Sequence, residues 1–191
     1  MKSVFILACC LSTILSVQAG EVIRHNIEFK DEHYVVDLDM RIKGEMAQVY
    51  AVIMDFNHLS LVNDTIKDSE LIFSHNKVHT VRVDSEGCVL FFCQKIKQIQ
   101  LVTELVDGKI QSLTDPDESD LKFGSVQWQL TAEDGNTRIR YQGDYVPKFW
   151  VPPLIGPAIF KSRLLEESQK TVIGIEQRVK SLNNEQPTRP K

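Results

Sequence analysis

Gly156-Pro-Ala-Ile-Phe-Lys-Ser-Arg-Leu-Leu-Glu-Glu-Ser-Gln-Lys-Thr-Val-Ile-Gly-Ile-Glu-Gln-Arg-Val-Lys-Ser-Leu182 is the stretch that decides the fold. Leu165, Val172 and Val179 recur seven residues apart, and Ser168, Ile175 and Leu182 fill the same stripe. The spacing predicts a helix with one apolar face. Gly156-Pro157 suits its start, because proline is tolerated at the first helical position, where the N–H it lacks has no partner anyway. Over residues 157–182 such a helix has about 26 residues and is roughly 39 Å long. Upstream, residues 146–157 hold four prolines and belong to neither a strand interior nor a helix interior. Downstream, residues 183–191 are polar, contain two prolines and read as a disordered tail.

A helix of that length needs a surface against which to bury its stripe, and the chain before it supplies a sheet. Residues 22–29 and 34–42 read as strands on either side of Lys30-Asp31-Glu32. In the second, Val36, Leu38, Met40 and Ile42 alternate with Asp37, Asp39 and Arg41, the period of two of a half-buried strand. Met46, Val49, Tyr50, Ile53 and Met54 then change to helical spacing, and His58-Leu-Ser-Leu-Val62 is long enough only for a short second helical turn. Residues 65–145 follow as strands, predicted at 69–73, 78–83, 88–105, 109–113, 123–132 and 137–145. Turn residues separate them at His75-Asn76-Lys77, Ser85-Glu86-Gly87, Asp107-Gly108, Asp115-Pro116-Asp117 and Asp134-Gly135-Asn136. Short turns between consecutive strands imply an antiparallel meander. The predicted class is α+β: a curved antiparallel sheet of six to seven strands wrapped around the terminal helix, with one domain over residues 20–182.

The first nineteen residues set the expected compartment. Lys2, an apolar run over residues 4–15 and small residues at Val17 and Ala19 form a secretory signal peptide. Ile6-Leu7-Ala8-Cys9 also looks like a lipobox, but almost no apolar region precedes it. The mature chain is expected to start at Gly20 and to be exported, as to a bacterial periplasm. The chain carries 22 basic and 26 acidic residues, and cleavage removes only Lys2 among them, taking the net charge from −4 to −5. Nucleic acid is not an expected partner, because phosphate neutralisation needs clustered Lys and Arg. Two of the four cysteines remain, Cys88 and Cys93. Within one extended strand they would be roughly 16 Å apart, beyond disulfide reach, so they are expected not to pair.

Val49-Tyr-Ala-Val-Ile-Met-Asp-Phe56, Thr65-Ile-Lys-Asp-Ser-Glu-Leu-Ile72 and Tyr145-Val-Pro-Lys-Phe-Trp-Val-Pro-Pro-Leu-Ile-Gly-Pro157 resemble the START-like helix-grip superfamily. The likeness is to its polyketide cyclase/dehydrase and lipid-transport group, which includes ubiquinone-binding proteins, and to secreted bacterial members in particular. It covers residues from about 32 to 182. The first two segments look like the family's first helix and following strand, and the third like the approach to its terminal helix. The proline usual after the first helix is missing from Leu59-Ser-Leu-Val62. The resemblance implies a helix-grip fold and a partner that is an apolar small molecule, a lipid or quinone, or else a cyclase or dehydratase substrate.

Strand parity places Val126, Trp128 and Leu130 on one face, and Ile139, Tyr141 and Tyr145 likewise, with Arg138 and Arg140 opposite. Leu90, Phe92, Trp128 and Tyr141 are therefore candidates to line an apolar cavity between sheet and helix, joined by Ile159 at the helix start. The bland reading is that they only fill the core. Phe149-Trp150-Val151, on a proline-stiffened loop, is a candidate gate or transient membrane contact, or a plug under the terminal helix. No cofactor motif is present, and His25, His33, His58, His75 and His79 lack metal-ligand spacing, although Asp55 and His58 are one helical turn apart. Asn63-Asp-Thr65 matches a glycosylation acceptor. An enzyme would need an acid/base pair in the cavity. The nameable candidates are Tyr141, Arg82 and Asp144, of which parity places the last two outside. A carrier therefore leads, with an enzyme as alternative and a protein-interaction module as a third reading.

Overall fold

The computed structural model describes residues 20–89, 92–151 and 156–185. The predicted leader, residues 186–191 and Leu90 lie outside these, as does the side chain of Phe92. The elements run β1 (Glu21–Lys30), β2 (His33–Lys43), α1 (Met46–Ile53), a 3-10 turn (Leu59–Leu61), β3 (Ile66–His75), β4 (Val78–Val89), β5 (Phe92–Glu104), β6 (Lys109–Thr114), β7 (Leu121–Glu133), β8 (Asn136–Pro147) and α2 (Gly156–Glu185). All eight strands form one antiparallel sheet in the order β1-β2-β8-β7-β6-β5-β4-β3. The six strands β3 to β8 are the predicted meander, and β2 closes onto β8.

The local signals explain most of this. At Asp31-Glu32, Asn76-Lys77 and Asp134-Gly135 both residues have positive φ, the geometry whose twist matches the strands of a two-residue hairpin. Asp107-Gly108, also at positive φ, sits in the β5–β6 connection. On the concave face Val36, Leu38, Met40 and Ile42 of β2 meet Val81, Val102, Ile110, Leu130 and Ile139, and α2 lays Val172, Ile175 and Val179 onto them. Each such side chain, fully buried, contributes roughly 1.5–3 kcal/mol of transfer free energy. Gly174 permits the closest approach: a Cβ there would collide with the backbone of Val62 just after the 3-10 turn.

The structure corrects the reading at four places. The single strand predicted over 88–105 is split, its first residues belonging to β4 and the rest to β5, and the sheet has eight strands rather than six to seven because β1 and β2 both join the six-strand meander. Ser85-Glu86-Gly87, predicted as a turn, is extended within β4 and pairs with β5. Cys88 and Cys93 are then direct cross-strand partners with Cα atoms 4.0 Å apart, and they form a disulfide. The 16 Å separation assumed one strand where there is a hairpin. The terminal helix continues through residues 183–185, predicted as tail.

An apolar cavity between sheet and terminal helix

The strand register assembles the floor of the site. Leu38, Tyr141, Trp128 and Ile110 are successive partners across β2, β8, β7 and β6, a transverse apolar row. Val36 and Met40 flank Leu38, and Val102 comes from β5. The walls are Ile53, Met54, Phe56, Leu59, Val62 and Ile66, from α1 and the segment after it, and Leu164 and Ile175 from α2. These residues line a cavity of about 310 Å³ that opens to solvent, at the lower end of the range of roughly 300–1,000 Å³ for small-molecule sites.

The polar groups in the walls largely satisfy one another. Asn63 Nδ2 donates to Thr171 Oγ1 at 2.8 Å and to the Glu167 carbonyl at 3.3 Å, while its Oδ1 accepts from Thr65 N and Oγ1. Buried in this way against α2, Asn63 is not presented as a glycosylation acceptor. Ser112 donates to Gln100 Oε1 at 2.7 Å, and Ser168 returns its hydroxyl to the Leu164 carbonyl. The Tyr141 and Tyr145 hydroxyls bond each other. Burial pushes the Tyr141 phenol up to about 12, against a smaller opposing pull from the Tyr145 hydrogen bond. The exception is Glu167: Oε1 accepts from Lys170 Nζ at 2.9 Å, but the buried Oε2 has no partner.

The candidate residues separate. Trp128 and Tyr141 line the cavity with rings edge to face at 4.8 Å. Ile159, half-buried on the first turns of α2, is not among the lining residues. Phe149 and Trp150 belong to a different cleft, with Phe29, Tyr34, Lys122 and Val151. Trp150 is 73% exposed, so it is not a plug under the helix. Arg82 and Asp144 are outside the cavity, as parity requires. Arg82 pairs with Asp68, Glu70 and Asp84, and Asp144 Oδ1 meets His33 Nδ1 at 2.7 Å. His58 and Asp55 do meet, at 2.7 Å.

Sequence reasoning missed the whole wall contributed by α1 and the 3-10 turn, and it missed Glu167. It also missed the network that anchors α1 to the sheet. Tyr50 donates to Glu104 Oε2 at 2.5 Å and His79 bonds Glu104 Oε1 at 2.9 Å. Burial first, then this bond to Glu104, raises Tyr50 to about 12, and the same bond holds the Glu104 carboxyl below its ordinary value. A Tyr, a Glu and a His at sequence separations of 25 to 54 leave no local motif.

No protein-family model and no curated protein sequence matches the chain. Solved structures do. A START superfamily protein from Mycobacterium smegmatis superimposes with a TM-score of 0.62 at 16% identity, over 78% of this chain and 98% of that one. The fold is the START-like helix grip. The Zhui aromatase/cyclase from Streptomyces sp. R1128 gives 0.62 at 11% identity, over 78% and 94% of the two chains. A STAR-related lipid transfer protein from Xanthomonas axonopodis gives 0.58 at 14% identity, over 82% and 98%. At these identities the likeness carries the helix-grip architecture, and the chemistry must be read from this chain's own cavity.

Proposed function

We propose that the protein is an exported, non-catalytic carrier of an apolar small molecule, a lipid or quinone-like compound, held between the sheet and α2. The observation that carries this is the cavity: apolar on nearly every side, with its wall polar groups, Glu167 Oε2 excepted, already hydrogen-bonded. Among the described lining residues only Glu167 and Tyr141 titrate. A phenol held near 12 is a poor general base at neutral pH, since acid/base catalysis works best with a pKa close to the operating pH. The lipid-transfer neighbour supports the reading, and a cyclase neighbour on the same fold keeps the enzyme as the reading to test against. The leader sequence and the Cys88–Cys93 disulfide support export, because disulfides persist in oxidising compartments.

The orphaned Glu167 Oε2 adds that the ligand carries one hydrogen-bond donor, such as a hydroxyl, on an otherwise apolar body. A medium-chain alkyl alcohol and its methyl ether, titrated against Trp128 fluorescence in a Trp150→Phe background, test this. The alcohol is expected to bind roughly five- to tenfold tighter, and Glu167→Leu to erase the difference. Absence of binding by both compounds contradicts the carrier. Turnover of a hydroxylated substrate that Glu167→Leu abolishes establishes the enzyme instead.

A further inference from the structure

Glu176 is a carboxylate buried to 3% exposure in the middle of α2. Among the described residues its one hydrogen bond comes from the Lys43 amide, at 2.6 Å to Oε1. Among the described residues no Lys, Arg or His forms an ion pair with it. A carboxylate buried to this depth is stabilised by a cation close by.

The group beside it is Gly20. A Cβ on Gly20 would collide with Glu176 Oε1 and stand 2.7 Å from Val172 Cγ1 and 2.8 Å from the Arg41 carbonyl. The position therefore admits only glycine, and the Gly20 nitrogen, bonded to the same Cα, is within roughly 5 Å of the carboxylate oxygen. Gly20 is also fixed in place: Gln169 donates to its carbonyl at 3.0 Å and accepts from Val22 N at 3.3 Å, tying the start of β1 to α2. Other charged groups line the neighbouring cleft. β1 brings Glu21, β2 brings Arg41 and Lys43, and β7 and its turn bring Glu133 and Asp134. Arg41, the nearest guanidinium, is held by Glu21 at 3.3 Å and Glu133 at 3.1 Å.

We propose that the chain is cut between Ala19 and Gly20 and that the α-ammonium freed on Gly20 is the counter-ion of Glu176, locking β1 to α2 only after processing. The cut is a hydrolysis by a peptidase: water adds across the Ala19–Gly20 amide, the C–N bond breaks, Ala19 keeps the new carboxylate and Gly20 the protonated amine. Before cleavage that nitrogen is an uncharged amide and cannot serve as the counter-ion.

The sign of the pH dependence follows. An α-amino group has an unfolded pKa of about 7.7–8.0. Pairing raises it in the folded state, so the stabilisation is complete below about 7.7 and is lost as pH rises through the raised value. The test uses the processed chain starting at Gly20, the same chain α-acetylated, and Glu176→Gln in each. In the processed chain the Gly20 amine, followed by NMR, is expected to titrate at least one unit above about 8, and in Glu176→Gln to return to about 8. Acetylation is expected to lower the folded-to-unfolded ratio at pH 7 roughly tenfold or more, and to change it little in Glu176→Gln. If Glu176→Gln fails to fold, the acetylated chain decides: its stability is flat between pH 7 and 10 where that of the free amine falls. A mature N-terminus elsewhere, an amine titrating near 8 beside an intact Glu176, or equal acetylation costs with and without the carboxylate overturns the proposal.

Discussion

Trp128 on β7 and Tyr141 on β8 are direct cross-strand partners whose rings meet edge to face, centroids 4.8 Å apart, on the floor of the cavity. Both rings line the cavity. Trp128→Ala is therefore expected to weaken binding of an apolar probe at least tenfold. It should cost less stability than the roughly 3–5 kcal/mol of a Trp removed from a closed core. Urea unfolding beside probe titration checks this, and a full core-sized loss with unchanged affinity would show the space to be filled.

Tyr141 and Tyr50 are both raised to about 12. Their folded values exceed the unfolded value near 10, so the stability they contribute is complete below pH 10 and is lost as pH climbs toward 12. Unfolding followed between pH 9 and 12 should steepen in that window. Tyr141→Phe should remove part of the steepening, and absorbance titration of the phenols should show it directly.

Cys88 and Cys93 close a loop with a sequence separation of 5, for which chain entropy predicts about 2 kcal/mol. Mass spectrometry is expected to show a gain of two hydrogens on reduction within the peptide that contains both. Cys88→Ser should lower the urea midpoint accordingly.

Gly174 lets α2 reach the backbone of Val62. Gly174→Ala should push the helix off that wall at a cost of roughly 1–3 kcal/mol, even though alanine is the better helix former. A stabilised protein would contradict the close approach.

The terminal helix and the turns at Asn76-Lys77, Asp107-Gly108 and Asp134-Gly135 were legible because the chemistry of each is local: a seven-residue stripe, or residues that accept positive φ. The β4–β5 hairpin was not, since no Gly, Pro, Asn or Asp stands between Cys88 and Cys93 to mark a break. Ser85-Glu86-Gly87 misled in the opposite direction, because turn-forming residues are tolerated in extended backbone. For the site, parity put Trp128 and Tyr141 on one face, but their partners Leu38 and Ile110 follow only from the register between strands distant in sequence. The orphaned Glu167 oxygen is a tertiary property with no sequence signature. For Trp150 the plug is ruled out by its exposure, which apolar character alone does not reveal.

Native mass spectrometry of the protein purified from its own host tests the central claim most directly. The account predicts a complex heavier than the disulfide-bonded chain by one small apolar molecule, extractable into organic solvent and absent when Ile110→Trp fills the cavity floor. Bare protein at the chain mass, together with no uptake of alkyl alcohols or lipids by the same sample, would contradict it.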